Sequence, residues 1–326
     1  RGEITNIAVF GQIGWQISET LKLDIGARCT QDEKKGTVAG IAVSNTDRYN
    51  QVDDGVTAVP LTPGGYPATP WGETWSKTTP QATLRYTPSD DLFFYGTVST
   101  GFKGGYFQDT AANAIGAAIP INPEEVVNFE VGMKSDFAGG RARFNAAAFF
   151  MDYTDLQVEQ TNLQCLCNIA ENAADAEILG LEAELKWAAT DYLTIDVSGV
   201  YYDTEYVEFQ ELVGVDSSGN RLQRTPESSY SLGLDYDVNA WNFQLTYSWQ
   251  SDLFWEPANN HLEDSYGLLN ARLSYSPENA PWSVSVWGKN LSDELYRTNI
   301  IPAFGDNISQ FGPPLTSGVE LSYRFE

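Results

Sequence analysis

Hydrophobic and polar residues alternate with a period of two along most of the chain, most cleanly between residues 230 and 250. Tyr230, Leu232, Leu234, Tyr236 and Val238 are separated by Ser231, Gly233, Asp235 and Asp237. After the turn Asp237-Val238-Asn239-Ala240, Trp241, Phe243, Leu245, Tyr247 and Trp249 alternate with Asn242, Gln244, Thr246, Ser248 and Gln250. Successive side chains of an extended strand point to opposite faces, so this pattern predicts an antiparallel hairpin with one apolar and one polar face. The apolar face meets either a second sheet, as in a soluble sandwich, or lipid, as in a membrane barrel with a wet lumen. Tyr230, Trp241, Tyr247 and Trp249 at the ends of the row favour lipid, because amphipathic rings settle at the headgroup level.

The same alternation recurs elsewhere. It predicts strands over 7–17, 21–29, 76–87, 92–102, 127–134, 144–150, 179–187 and 193–201, the two of the hairpin, and 269–275, 282–286 and 315–325. Between them, short turns and long loops alternate strictly. The long segments run from about 34 to 75, 103 to 126, 151 to 175, 206 to 227, 251 to 264 and 293 to 313. Outer-membrane barrels have this asymmetry, whereas Greek-key crossovers would scatter the long connections. No segment has a helical period, and no apolar run approaches the ~20 residues of a spanning helix. The expectation is an all-β, antiparallel transmembrane β-barrel with about 13 strands in residues 1–326. Thirteen is odd, so the first and last strands run the same way and cannot close an antiparallel barrel on each other. Bacterial barrels are even-numbered, so the chain is expected to be the C-terminal portion of a larger barrel.

Composition narrows the function. With 44 acidic and 19 basic side chains the formal charge is −25, which argues against nucleic acid as a partner. The three cysteines, Cys29, Cys165 and Cys167, do not make a disulfide scaffold. Cys165-Leu166-Cys167 lacks the second pair and nearby histidine of a metal motif, although a bridge to Cys29 or to another chain is open. No metal or other cofactor is expected.

Several stretches together carry a resemblance. They are TPQATLRYTPSDDLFFYGTVSTGFKGGYFQ (79–108), NPEEVVNFEVGMKSDF (122–137), ILGLEAELKW (178–187), VWGKNLSDELY (286–296) and GVELSYRF (318–325). In order and spacing they resemble the TonB-dependent outer-membrane receptors over nearly the whole chain. The resemblance implies a 22-stranded barrel, of a size at which the lumen is plugged, with these strands as the last thirteen. The N-terminal plug, the segment that engages TonB and the first nine strands would then lie outside this sequence. Two positions depart from the family pattern. Pro314-Leu315 stands where a Pro-Arg pair is common, and Glu326 follows the terminal aromatic Phe325.

The resemblance implies active uptake of a scarce nutrient, most commonly an iron–siderophore complex, across the outer membrane of a Gram-negative cell. Outer-membrane lipid, the plug and TonB would be the partners. A passive porin and a soluble acidic β-rich binding module are the alternatives. A transporter breaks no bond in its substrate, so no catalytic residues are expected. His261 with Ser265 makes a poor triad, and Glu182 with Glu184 reads better as lumen-facing acid than as a glycosidase pair. Gly101-Phe102-Lys103-Gly104-Gly105 has no following helix to cradle a phosphate. Aromatic and polar loop residues are the candidate ligand contacts: Trp71, Trp75, Tyr106, Phe107, Trp255, His261 and Phe304.

Overall fold

The computed structural model describes residues 2–38, 69–108, 119–162, 167–211, 214–303 and 306–325. One antiparallel sheet of thirteen strands dominates it. Its members are β1 (Gly2–Gln16), β2 (Leu21–Val38), β3 (Thr69–Ser89) and β4 (Leu92–Lys103). Two short strands, β5 (Tyr106–Phe107) and β6 (Pro120–Ile121), pair with each other outside it. The sheet continues through β7 (Glu124–Phe137), β8 (Ala142–Asn162), β9 (Cys167–Ala188), β10 (Leu193–Phe209), β11 (Ser228–Val238) and β12 (Trp241–Gln250). A small hairpin, β13 (Leu253–Phe254) with β14 (Leu262–Glu263), precedes β15 (Tyr266–Tyr275) and β16 (Trp282–Lys289). A third, β17 (Arg297–Ala303) with β18 (Asp306–Phe311), precedes the last sheet strand, β19 (Thr316–Tyr323).

Register keeps the two faces apart. One run of paired residues reads Ile13, Ile25, Ala82, Val98, Phe129, Phe150 and Leu179. Another reads Leu185, Val197, Leu232, Tyr247 and Leu269. A third reads Phe243, Leu273, Val286 and Val319. These side chains are exposed or half-exposed, Ile13 at 77% and Val131 on the same face at 62%. Trp241 and Phe243 are exposed too, so no second sheet covers them. The opposite face runs Asp24, Thr83, Thr97, Glu130, Phe149, Gly180 and Tyr202. Further along it has Glu184, Ser198, Ser231 and Ser248.

Aromatic rings border the apolar face at both ends. Trp241, Tyr275 and Trp282 form a chain with centroids 4.6 and 6.0 Å apart. Eight residues away along β12, Trp249 stacks on Tyr230 at 5.1 Å. At ~3.4 Å per residue the two borders lie roughly 27 Å apart along the strand. This matches the ~25 Å apolar band of a membrane barrel with its aromatic girdles.

Short turns join the strands at one end. Asn239 takes the left-handed φ of +52° at the first turn position, and Ala138, Gly139 and Gly140 have φ of +53°, +67° and +80°. A run of three such residues needs glycine, where the absent Cβ removes the penalty. At the other end the sequence reading requires correction. The segment expected to be irregular over 34–75 is strand as far as Val38 and again from Thr69. The segment after residue 150 is also strand: β8 reaches Asn162 and β9 starts at Cys167. Cys165 and the Pro63-Gly64-Gly65-Tyr66-Pro67 stretch lie outside the described residues. Cys29 is free, its Sγ 3.4 Å from the Thr78 hydroxyl.

Candidate functional site at the long-loop end

The upper turns of β2 and β3 carry Asp32, Lys34, Trp71 and Trp75 on the polar face, where Asp32 pairs with Trp75 and Lys34 with Glu73. Phe107 of β5 lies on the two indoles, 4.5 Å from Trp71 and 6.0 Å from Trp75. Gly105 makes this approach possible: a Cβ there would sit 2.4 Å from the Trp75 ring and 2.5 Å from the Ile121 carbonyl oxygen. The Lys34 ammonium lies 5.9 Å from the Trp75 ring and donates to the Gly105 carbonyl at 2.7 Å. Trp75 is buried and its indole Nε1 has no hydrogen-bond partner among the described residues. Tyr106 is half-buried in the two-residue pairing with Ile121.

The connection between β4 and β7 is tied to its neighbours as well. Gln157 of β8 donates to the Asn122 and Gly104 carbonyls at 2.8 and 3.3 Å. Gln108 accepts from the Ala170 N–H at 3.0 Å, and its amide donates back to the Ala170 carbonyl. The other side of the β8–β9 hairpin holds a small core. Val158, Ala174 and Ala176 pack with Tyr206 and Phe209 of β10, with Leu222 alongside. There the chain after β10 turns back: Ser217 N–H donates to Phe209 and Tyr206 N–H to Asn220. The hairpin thus connects the aromatic cluster on one flank with the later loops on the other.

The later loops are cross-linked by arginines. Arg221 reaches Asp252 at 2.9 Å and Glu227 at 3.3 Å, and covers the Phe254 ring at 5.3 Å. Arg297 binds Glu263 at 2.6 Å. Arg224 lies 5.9 Å from the Trp255 ring and donates to Asn299 at 3.2 Å. Trp255 packs with Leu253 and Ile300. Its backbone N–H donates to the His261 carbonyl at 3.0 Å. The Glu256 carboxylate accepts from the His261 backbone N–H at 2.9 Å, with the imidazole Nδ1 3.0 Å away.

The expected contacts therefore form two groups. Trp71, Trp75, Tyr106 and Phe107 gather over β2 and β3, while Trp255 and His261 share the hairpin before β15; Phe304 lies outside the described residues. Arg221, Arg224 and Gln157 were missed, because an isolated polar loop residue carries no period. For the two arginines the one sequence signal is that cations are scarce here, which makes a loop arginine informative. Electrostatics follow burial. The Tyr206 hydroxyl, beyond the apolar belt, is pushed up to about 12 by desolvation, against a backbone hydrogen bond involving Gln223. The Asp216 carboxyl is held low by hydrogen bonds from Ser218. Lower on the polar wall, Asp24 bridges Lys22 and Arg85 at 3.0 and 3.2 Å, and the Tyr95 hydroxyl donates to Glu130 at 2.6 Å.

Known proteins share this fold. The pesticin receptor of Yersinia pestis is 22% identical over 98% of this chain and 44% of its own length. A probable TonB-dependent siderophore receptor, PiuA, of Acinetobacter baumannii is 26% identical over 67% of this chain and 30% of its own length. The crystal structure of the ferric yersiniabactin uptake receptor FyuA from Yersinia pestis superposes with a TM-score of 0.82 at 19% identity, covering 100% of this chain and 46% of that one. The chain thus spans under half the length of these relatives. The model of the family "TonB dependent receptor-like, beta-barrel" matches residues 1–291, and the chain belongs to that family.

Proposed function

We propose that this chain supplies barrel wall and extracellular loops to a TonB-dependent active transporter that takes up an iron–siderophore complex across the outer membrane of a Gram-negative bacterium. The observation that carries the reading is the two-faced sheet in a chain of this family: an unbroken apolar face bordered by aromatic girdles backs a polar face. At one end of that polar face, aromatic loops gather. Siderophore receptors among the relatives support iron as the cargo. Lipid would cover the apolar face, and a plug elsewhere in the whole receptor would fill the polar interior. TonB would supply the work of opening it. Trp71, Trp75, Tyr106, Phe107, Trp255, His261 and Phe304 are the proposed ligand contacts, offering broad ring area with a few polar tips.

Uptake of radioactive iron by iron-starved cells tests this. Cells with the full-length receptor and intact TonB should accumulate ferric siderophore, and loss of either should abolish accumulation. Entry that persists without TonB would make the protein a passive pore. Recovery in the soluble fraction without detergent would defeat both membrane readings.

A further inference from the structure

Building on the transporter reading, we propose that Arg224, beside Trp255 and Asn299, recognises a single oxyanion on the ligand, a free carboxylate carried outside the metal centre. Four observations converge on this residue. Most cations around the long loops are already neutralised: Lys103 by Glu124, Arg221 by Asp252 and Arg297 by Glu263. Arg224 is exposed and forms no ion pair among the described side chains; its contacts are Asn299 and the Trp255 ring. Its backbone is held at a φ of +58°, a conformation that L residues with long side chains rarely adopt, while its N–H donates to the Phe254 carbonyl at 2.6 Å. Finally, Trp255 is 7% exposed and its indole Nε1 lacks an acceptor among the described residues.

The cluster therefore holds an exposed guanidinium with no carboxylate partner beside a buried indole whose N–H also lacks an acceptor among the described residues. A carboxylate supplies two acceptor oxygens with the geometry a guanidinium favours. The surroundings limit its charge. Asp252, Glu256 and Glu263 lie in the same loops, and against a chain of net charge −25 a polyanionic chelate would be repelled. The ligand class is thus a metal chelate with one free carboxylate and little further negative charge.

Three ferric trihydroxamates identical at iron and ending in a primary amine, an acetamide or a succinyl carboxylate isolate that group. TonB-dependent uptake of their radioactive iron is measured in cells bearing the full-length receptor. The carboxylate form should half-saturate uptake at about a tenfold lower concentration than the amine form, the size of one charge-assisted contact. Arg224→Ala should erase the difference at unchanged surface level, Arg224→Lys should keep only part of it, and Trp255→Phe should raise the half-saturating concentration about threefold for the carboxylate form alone. Equal uptake of all three, a preference unchanged in Arg224→Ala, or TonB-dependent iron uptake that excludes every trihydroxamate would overturn the proposal. Iron uptake indifferent to TonB would instead remove the transporter reading beneath it.

Discussion

Gly180 shows how a single absent side chain shapes the inner wall. A Cβ there would lie 2.1 Å from the Phe149 ring across the strand pair, and one at Gly132 would lie 2.5 Å from Tyr95. In each case an aromatic ring lies flat on the neighbouring strand's glycine, which covers exposed backbone and keeps the ring out of the lumen. Replacing Gly180 with valine should push Phe149 off its site at a cost of about 1–3 kcal/mol. The expected readout is a lower melting temperature of the purified receptor in detergent, recovered by the double change with Phe149→Ala; no recovery would show that the ring does not rest there. Tyr206 gives a pH test. Its folded pKa of about 12 lies above the ordinary tyrosine value. Burial therefore stabilises the loop fully below about pH 10, and that contribution disappears as pH rises through the folded value. The late-titrating part of the phenolate absorbance should be smaller by one residue in Tyr206→Phe. Neither pairing was legible in the sequence, since rings and glycines 30 to 40 residues apart meet only through register.

Strands were legible where lipid imposes alternation and illegible beyond it. Only ~9–11 residues of a tilted strand cross a bilayer, and β12 and β15 have 10 each. By contrast β8 and β9 have 21 and 22. Beyond the belt no hydrocarbon imposes alternation on their upper halves, so the sequence over 155–162 and 167–176 loses the period of two and reads as loop. Packing on Tyr206 and Phe209 replaces lipid as the reason for order. Truncating Phe209 to alanine removes a fully buried ring, a loss of about 3–5 kcal/mol in a well-packed core. Because this core stands apart from the apolar belt, the damage should stay local. Limited proteolysis should cut within residues 206–222 much faster, while the folded barrel keeps its heat-dependent mobility in detergent gels. Collapse of that mobility would mean the upper hairpin and the barrel fold as one unit.

Across the whole molecule, one rule explains why thirteen strands share two faces: a slip by one residue would turn a strand's whole apolar set inward. Across the belt the register sets apolar residues against their like, as in Ile13–Ile25, Leu232–Tyr247, Phe243–Leu273 and Val286–Val319, and polar ones against theirs, as in Asp24–Thr83 and Ser231–Ser248. That consistency was readable in advance, because the period survives in every strand that crosses the belt. The loop clusters were not, because they depend on which strand tops stand side by side. The decisive test of the two-faced sheet is therefore a matched pair of arginines in adjacent positions of one hairpin. Leu234 pairs with Ile195 and Leu245 in the middle of the apolar belt. Thr246 pairs with Gly233 and Asn270 on the wet face. Leu234→Arg should cost about 2–4 kcal/mol, the penalty for a cation near the bilayer midplane, and should reduce the fraction of receptor that folds into lipid vesicles. Thr246→Arg adds the same charge beside a hydrated wall carrying Asp196 and Asp235, and should fold nearly as well as the parent. If both arginines are tolerated alike, the apolar face does not meet hydrocarbon. If the second is the worse, the two faces have been assigned the wrong way round.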